Sequence, residues 1–316
     1  MWKFSLITLD FGRFFVLLHR KSISNAKYQM KKFLKEYWLT LSVLSFMTII
    51  ITCSTSGTNL NRKTNNNSNS IAHLAEITSS AERTIQRNEV LDIDIPAPLQ
   101  NVPEQILYRK SYIVSYNKET RMPNWVAWHL TSDHTTGEYR RPGSAFHEDL
   151  EVPVPRANNN DYKGSGWSRG HMCPAGDNKW DPDAMYESFL LSNVCPQNMN
   201  LNSGVWNQIE IACRTWAERY GDVYIVCGPI LFNKEHETIG MTKVVVPEAF
   251  FKVVLCLNGE PKGIGFICRN TEGNRRKDLY VNSIYQVERI TKMKFFPKLD
   301  KDIADRIKSQ ADLTIW

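Results

Sequence analysis

Gly166-Trp167-Ser168-Arg169-Gly170-His171-Met172-Cys173-Pro174 opens the stretch on which the reading of this 316-residue chain turns; Leu191-Ser192-Asn193-Val194-Cys195-Pro196-Gln197, then Leu201-Asn202-Ser203-Gly204-Val205-Trp206 and Glu210, complete it. The first segment reads as extended, and residues two apart on a strand share a side, so Arg169 and His171 point together. Leu190 to Val194 reads as a short buried strand. From Asn202 onward, Val205, Ile209, Cys213, Trp216 and Tyr220 recur at three- and four-residue spacing, the apolar stripe of a helix. Asn202 stands at its start, where asparagine serves as an N-cap. Asn202, Trp206 and Glu210 follow at four-residue steps, which on an ideal helix confines them to about 80° of arc.

Outward from this centre, Ile106 to Tyr116 and Trp125 to Leu130 are rich in β-branched and aromatic residues and read as two strands separated by a polar segment with Pro123. Ser132 to Lys163, with Arg140-Arg141-Pro142-Gly143, reads mostly as loop. Asp181-Pro182-Asp183 has the order of an N-cap, a first-turn proline and a first-turn acid. Val223 to Cys227 reads as a strand stopped by Gly228-Pro229. Phe250 to Leu257 and Gly263 to Cys268 form a hairpin around Asn258-Gly259, and Asp300 to Ala311 a final helix. Strands on either side of a central helix, without strand-helix alternation, predict an α+β domain beginning near Ile106.

With 42% hydrophobic and 11% aromatic residues the composition is globular, not fibrous or disordered. The formal charge of +6 lies entirely in residues 1–52, which hold eight bases against two acids; the remainder carries 31 of each. A neutral body does not steer a polyanion, so any affinity for nucleic acid must come from a local patch and bound metal. Met30-Lys31-Lys32-Phe33-Leu34-Lys35, the apolar run Tyr37 to Ile51 and Cys53 have the order of a bacterial lipoprotein signal, with Cys53 as the lipidation site and Thr52 where a smaller residue is usual. Asp10 and Arg13 interrupt the apolar stretch before it, which points to Met30 as the translation start. The expected organisation is therefore an extension and signal peptide over 1–52, a Ser/Thr/Asn-rich tether over 53–105, and a folded domain over 106–316. The expected location is at a membrane facing periplasm or cell exterior. Six further cysteines show no metal or redox spacing. Cys213, Cys227, Cys256 and Cys268 occupy apolar positions where free cysteine is a small hydrophobe.

Histidine titrates near neutrality and suits a general base for water attack, here His171. A guanidinium beside it, Arg169, suits a phosphate. On the helix face, the Asn202 carboxamide oxygen is a sufficient ligand for Mg²⁺, which keeps several waters, while Glu210 could orient a neighbour. This is equipment for metal-assisted phosphodiester cleavage.

In order and content these motifs resemble the DNA/RNA non-specific endonucleases, the ββα-metal group that includes mitochondrial endonuclease G. The likeness runs from about Ile106 to Leu299. It includes Trp125-Val126-Ala127-Trp128-His129-Leu130, Asp161-Tyr162-Lys163-Gly164-Ser165-Gly166, Val223 to Pro229, Val246 to Val253 and Phe295-Phe296-Pro297. It implies a central antiparallel β-sheet flanked by helices, with the site on a hairpin and the following helix. By the same likeness His171 is the general base, Asn202 the direct Mg²⁺ ligand (Mn²⁺ as substitute), Arg169 a phosphate contact and Glu210 a supporting acid. Arg141 stabilises the transition-state charge, and Arg140, Asn193 and Gln197 are substrate contacts. The implied partners are DNA and RNA and, through the lipid anchor, a membrane, with a homodimer left open. One residue departs from the pattern: Ser168 stands where the family carries Asp, with no charge to pair with an arginine. Two rival readings have their own signals. Cys173 or Cys195 with His171 would make a cysteine hydrolase, and Ser168 motivates a non-catalytic nucleic-acid-binding surface lipoprotein with a relic site.

Overall fold

The computed structural model describes residues 93–143, 145–233, 235–271 and 275–316. In chain order its strands are β1 (Gln105–Tyr108), β2 (Ile113–Asn117), β3 (Met122–Thr131), β4 (Ser168–His171), β5 (Val194–Gln197) and β6 (Asp222–Ile230). They continue with β7 (Thr238–Ile239), β8 (Val244–Val245), β9 (Ala249–Cys256), β10 (Lys262–Arg269) and β11 (Val281–Asn282). Helices α1 (Asn159–Tyr162), α2 (Pro182–Ser188), α3 (Asn207–Tyr220), α4 (Ile284–Thr291) and α5 (Lys301–Ser309) are interspersed. Seven strands form one sheet in the order β1-β2-β3-β6-β9-β10-β11, antiparallel at every pairing, and β4 pairs with β5 in a separate two-stranded ribbon. The expected α+β class, with an antiparallel sheet flanked by helices, is what the chain adopts.

The sheet is apolar on both faces, which is why its central strands read as nearly continuous hydrophobic runs. On β9, Phe250, Val254 and Cys256 enter the core beneath α3, while Phe251, Val253 and Leu255 enter a second core with Ile284, Val287, Phe295 and Ile307 of the α4–α5 region. Period-two alternation divides one strand between two layers. The Asn258-Gly259 hairpin forms as expected, with Cys256 opposite Lys262 and Gly259 at φ 71°. Asp181 caps α2 by accepting from the Asp183 and Ala184 amides, and Asp300 caps α5. All six described cysteines are free and buried.

The boundaries differ from the sequence reading in several places. Ile106 to Tyr116 is two strands, because the chain turns between Tyr108 and Ile113 with the Arg109 amide donating to Tyr112 O. The Arg109 guanidinium, bonded to Asp149 and Glu151, fixes that turn from forty residues away. β6 runs through Gly228-Pro229. Its last β3 partner is the Cys227–Val126 pair, and Pro229 pairs with Phe250 of β9. Gly228 is required there, since a Cβ would lie 2.5 Å from Asn124 O. The buried strand after α2 is shifted: Leu191–Asn193 is a tight helical turn, and extension begins at Val194. Helix α4, with a Ser283–Gln286 capping box, was not anticipated. The body also begins upstream of Ile106, because Ile93, Ile95 and Leu99 pack on the second core and the Ala97 amide donates to Lys294 O. The signal sequence, Cys53 and the tether before residue 93 lie outside the described residues. Among the described residues no helix is long and apolar enough to cross a membrane.

Candidate active site

The β4–β5 ribbon and the entry to α3 build the site. Ser168 lies opposite Gln197 and His171 opposite Val194. The helical segment is capped by Asn198, not Asn202: the Asn198 side chain accepts from the Asn200 and Leu201 amides. A helical turn (Met199–Leu201) and a π-type turn (Asn202–Trp206), kinked at Gly204 with φ −95° and ψ −116°, lead into α3. Such a turn is a frequent device at functional sites, because it breaks the regular register of the side chains. Relieved of capping, Asn202 turns to the ribbon and its Nδ2 donates to Ser168 Oγ at 3.2 Å. Ser168 Oγ in turn donates to Gln197 O at 2.7 Å. A hydroxyl can donate and accept at once, which a carboxylate cannot, so the serine joins both ribbon strands to Asn202. No hydrogen bond to Asn202 Oδ1 forms among the described residues, and that oxygen remains free to accept or ligate.

Arg169 and His171 do share a side. The His171 ring lies 5.0 Å from Phe146 and 5.0 Å from Phe189, centroid to centroid. Arg169 covers Tyr162 at 5.2 Å and Phe146 at 5.6 Å, and its Nη2 donates to Asn159 O. Arg141, from the exposed loop, reaches the same aromatic pair, 5.1 Å from Phe146 and 5.3 Å from Phe189. Burial, with the Arg141 charge as a second cause, lowers His171 to a pKa of about 3. The imidazole is thus neutral, and its Nε2 is buried without a hydrogen-bond partner. Nε2 is held as a free lone pair or N–H, depending on the tautomer. Arg140 is exposed.

Trp206 links the two halves: its Nε1 donates to His171 O at 3.3 Å, and the indole lies beside the Glu210 carboxylate, favouring its ionised form. Burial pushes Glu210 up to about 7, opposed by Lys252 and reinforced by Asp177. Behind it, Asp177 accepts from Arg214 at 2.8 Å and from Trp128 Nε1 at 3.1 Å.

Two expected substrate contacts are not placed to serve as such. Asn193 is fully buried and spends its amide on Cys173 N, Cys173 O and Ser188 O. Gln197 is also fully buried and lies against Gly170, where a Cβ would come within 2.1 Å of its Oε1. Asn193 thus serves the backbone of the ribbon, whereas both polar atoms of the Gln197 side chain are buried without a hydrogen-bond partner among the described residues. The thiols of Cys173 and Cys195 are buried and pushed well above their ordinary range, the opposite of an activated nucleophile. Phe146, Phe189, Asp177, Arg214 and Lys252 escaped the sequence reading. Arg214 had a signal, standing one helical turn beyond Glu210, and so did Lys252, a charge inside an otherwise apolar strand.

Among the described residues no three His, Cys, Asp or Glu side chains gather as a metal cage. One carboxamide oxygen instead fits a hard, hydrated cation completed by water and substrate oxygens.

Comparison with known proteins gives a consistent picture. The family model for DNA/RNA non-specific endonucleases matches residues 92–302. The chain is 38% identical over 208 residues to mitochondrial nuclease EXOG of Mus musculus, covering 60% of this chain and 56% of that one. It is 36% identical over 210 residues to nuclease C1 of Cunninghamella echinulata, covering 61% and 83%, and 32% identical over 209 residues to mitochondrial endonuclease G of Bos taurus, covering 62% and 70%. The match thus spans less than two thirds of the EXOG relative. Among solved structures, EndoG from the complex of EndoG with EndoGI superposes with a TM-score of 0.62 at 26% identity, covering 67% of this chain and 92% of that one.

Proposed function

Because the chain belongs to the DNA/RNA non-specific endonuclease family, we propose that it is a Mg²⁺-dependent endonuclease, with Mn²⁺ as substitute, that hydrolyses phosphodiester bonds of DNA and RNA to leave 5′-phosphate ends. The observation that carries this reading is a neutral, unpartnered His171 Nε2 beside rings that two guanidinium groups cover, on the same ribbon whose Ser168 holds the Asn202 carboxamide.

In this reading His171 Nε2 takes the proton of the attacking water, in the tautomer whose N–H is on Nδ1. Its neutrality keeps that lone pair available at ordinary pH. Arg141 and Arg169, stacked on the rings that flank the imidazole, hold the phosphate oxygens where negative charge grows. Asn202 Oδ1 would hold the cation, with Glu210 as a supporting acid toward its water shell; the cation supplies charge stabilisation for the phosphate and the departing 3′ oxygen. Ser168 holds the Asn202 carboxamide by its Nδ2, which leaves the oxygen available to ligate. Contacts of this kind engage backbone and not base edges, so weak sequence preference is expected. Against the Ser168-motivated relic reading, the serine still accepts from Asn202 Nδ2, and its hydroxyl adds a bond to Gln197 O that a carboxylate could not donate.

The test is incubation of the purified chain with supercoiled plasmid and with RNA in Mg²⁺, Mn²⁺ or EDTA. Cleavage with either cation, abolished by EDTA and in His171→Ala, is expected. No cleavage with either cation, or an undiminished His171→Ala protein, refutes it. Export as a lipoprotein anchored at Cys53 is part of the proposal, supported by the basic, apolar and cysteine order of residues 30–53. Fatty-acid labelling of wild type but not of Cys53→Ala is the expected result.

A further inference from the structure

Lys252 sits at the middle of the sheet, opposite Cys227 on β6 and Phe266 on β10, and is fully buried. Alternation along β9 turns it to the Phe250 and Val254 face, beneath α3. Its Nζ lies 4.4 Å from the Trp206 ring centroid and 5.3 Å from that of Trp128. It makes no hydrogen bond among the described residues. An ammonium carries three donors, and buried donors are normally satisfied. A methionine would fill the same slot without desolvating a charge. Packing therefore does not explain this residue.

Trp206 explains it. A cation over an indole face is attracted to the ring and favours one ring position. That indole donates to His171 O, lies beside the Glu210 carboxylate, and stands four residues from Asn202 on one side and from Glu210 on the other. The π-type turn leaves this segment without a regular helical ladder to hold it. Cys227, Glu210, Cys213 and Asp177 also face the ammonium electrostatically.

We propose that Lys252 is a positioning residue for the cleavage site: its ammonium clamps Trp206 against the sheet and so fixes the His171 backbone, Glu210 and the Asn202 turn relative to one another. This rests on the nuclease reading. The role requires the charge, since the aliphatic stem could be replaced by an uncharged one of similar shape.

The experiment uses the full chain as wild type, Lys252→Met, Trp206→Phe and the double variant. Mn²⁺ affinity is measured by electron paramagnetic resonance, independently of turnover, together with kcat and KM on plasmid DNA and the thermal midpoint. Lys252→Met is expected to weaken Mn²⁺ binding and lower kcat by about 10- to 100-fold, with KM for DNA unchanged and the midpoint equal or higher. Trp206→Phe should reproduce the losses, and the double variant should be no worse than the worse single one, as expected of two residues acting through one contact. Wild-type Mn²⁺ affinity and kcat in Lys252→Met overturn the proposal. So do losses that add in the double variant, a lowered midpoint or failure to fold, each of which makes Lys252 structural. If wild type cleaves no nucleic acid, the nuclease reading falls while the Mn²⁺ titrations still decide the Lys252 proposal. A wild-type chain that binds no Mn²⁺ overturns it outright.

Discussion

Gly170→Ala would test whether the ribbon geometry, and not merely its residues, makes the site. A Cβ at residue 170 would lie 2.1 Å from Gln197 Oε1, 2.6 Å from its Cβ and 2.8 Å from its Cδ. Gln197 is fully buried, so its side chain cannot swing into solvent. The strands must part instead. Overpacking of this kind costs about 1–3 kcal/mol, which for a domain of this size lowers the melting midpoint by roughly 2–12 °C. Parting β4 from β5 also moves Ser168 from Gln197 and hence Asn202 from His171, and a shift near 1 Å costs on the order of 100-fold in rate. Plasmid relaxation and calorimetry on the same preparation measure both. Relief is specific: Gln197→Ala removes the Oε1 and Cδ contacts but leaves the Cβ at 2.6 Å, whereas Gln197→Gly removes all three. Gly170→Ala should therefore cost far less when combined with Gln197→Gly than when Gln197 is retained. Wild-type midpoint and rate in Gly170→Ala, or equal cost in both backgrounds, would refute the reasoning.

Ser168→Ala removes the bonds to Gln197 O and Asn202, at about 0.5–1.5 kcal/mol each in denaturant melts, and should lower kcat through a loosened Asn202. Ser168→Asp, although it restores the family pattern, would set a carboxylate against the Gln197 carbonyl oxygen, 2.7 Å from the present hydroxyl; it should be less stable than wild type, and a more stable variant contradicts this. Activity should fall as pH drops through about 7, where Glu210 takes up a proton, with the limb absent from the residual activity of Glu210→Gln. Stability has a separate limb, because His171 binds a proton near pH 6.5 when unfolded but only near 3 when folded. Below 6.5 the unfolded chain is favoured, by up to roughly 4–5 kcal/mol at pH 3; urea melts in EDTA should show a shallower acid loss for His171→Phe.

The centre of the fold was legible where local chemistry and tertiary role agree. Phe250 to Cys268 carries β-branched runs around Asn-Gly, and the sheet needs that hairpin at that place. It was illegible where a distant group decides. The turn after Tyr108 contains no glycine or asparagine and is fixed by Arg109 reaching Asp149 and Glu151. Asn198 and Asn202 are equally good caps by type. Ser168, 34 residues upstream of Asn202, draws it away and leaves the cap to Asn198. Pro229 looks like a strand stop, and it is tolerated because β6 has already left β3. In the site, His171 and Arg169 could be singled out from residue type and order, and Arg141 only through the family likeness, with Arg140 as its alternative. The aromatic walls Phe146 and Phe189 were not, because no spacing relates them to His171. The burial of Asn193 was not legible either, because a polar residue inside a functional motif can serve the backbone alone.

The β4–β5 ribbon belongs to no larger sheet, and a two-stranded ribbon is barely stable by itself. It is tied down by the Asn193 amide, by Asn202 to Ser168, and by Asn270, whose Nδ2 donates to Pro196 O. Such a piece can detach in a partial opening that leaves the seven-stranded sheet intact, so its amides should exchange with deuterium sooner than those of β6 and β9. Heat would then silence the site reversibly at temperatures where the bulk of the molecule is still folded, and competence would return on cooling without refolding of the whole chain.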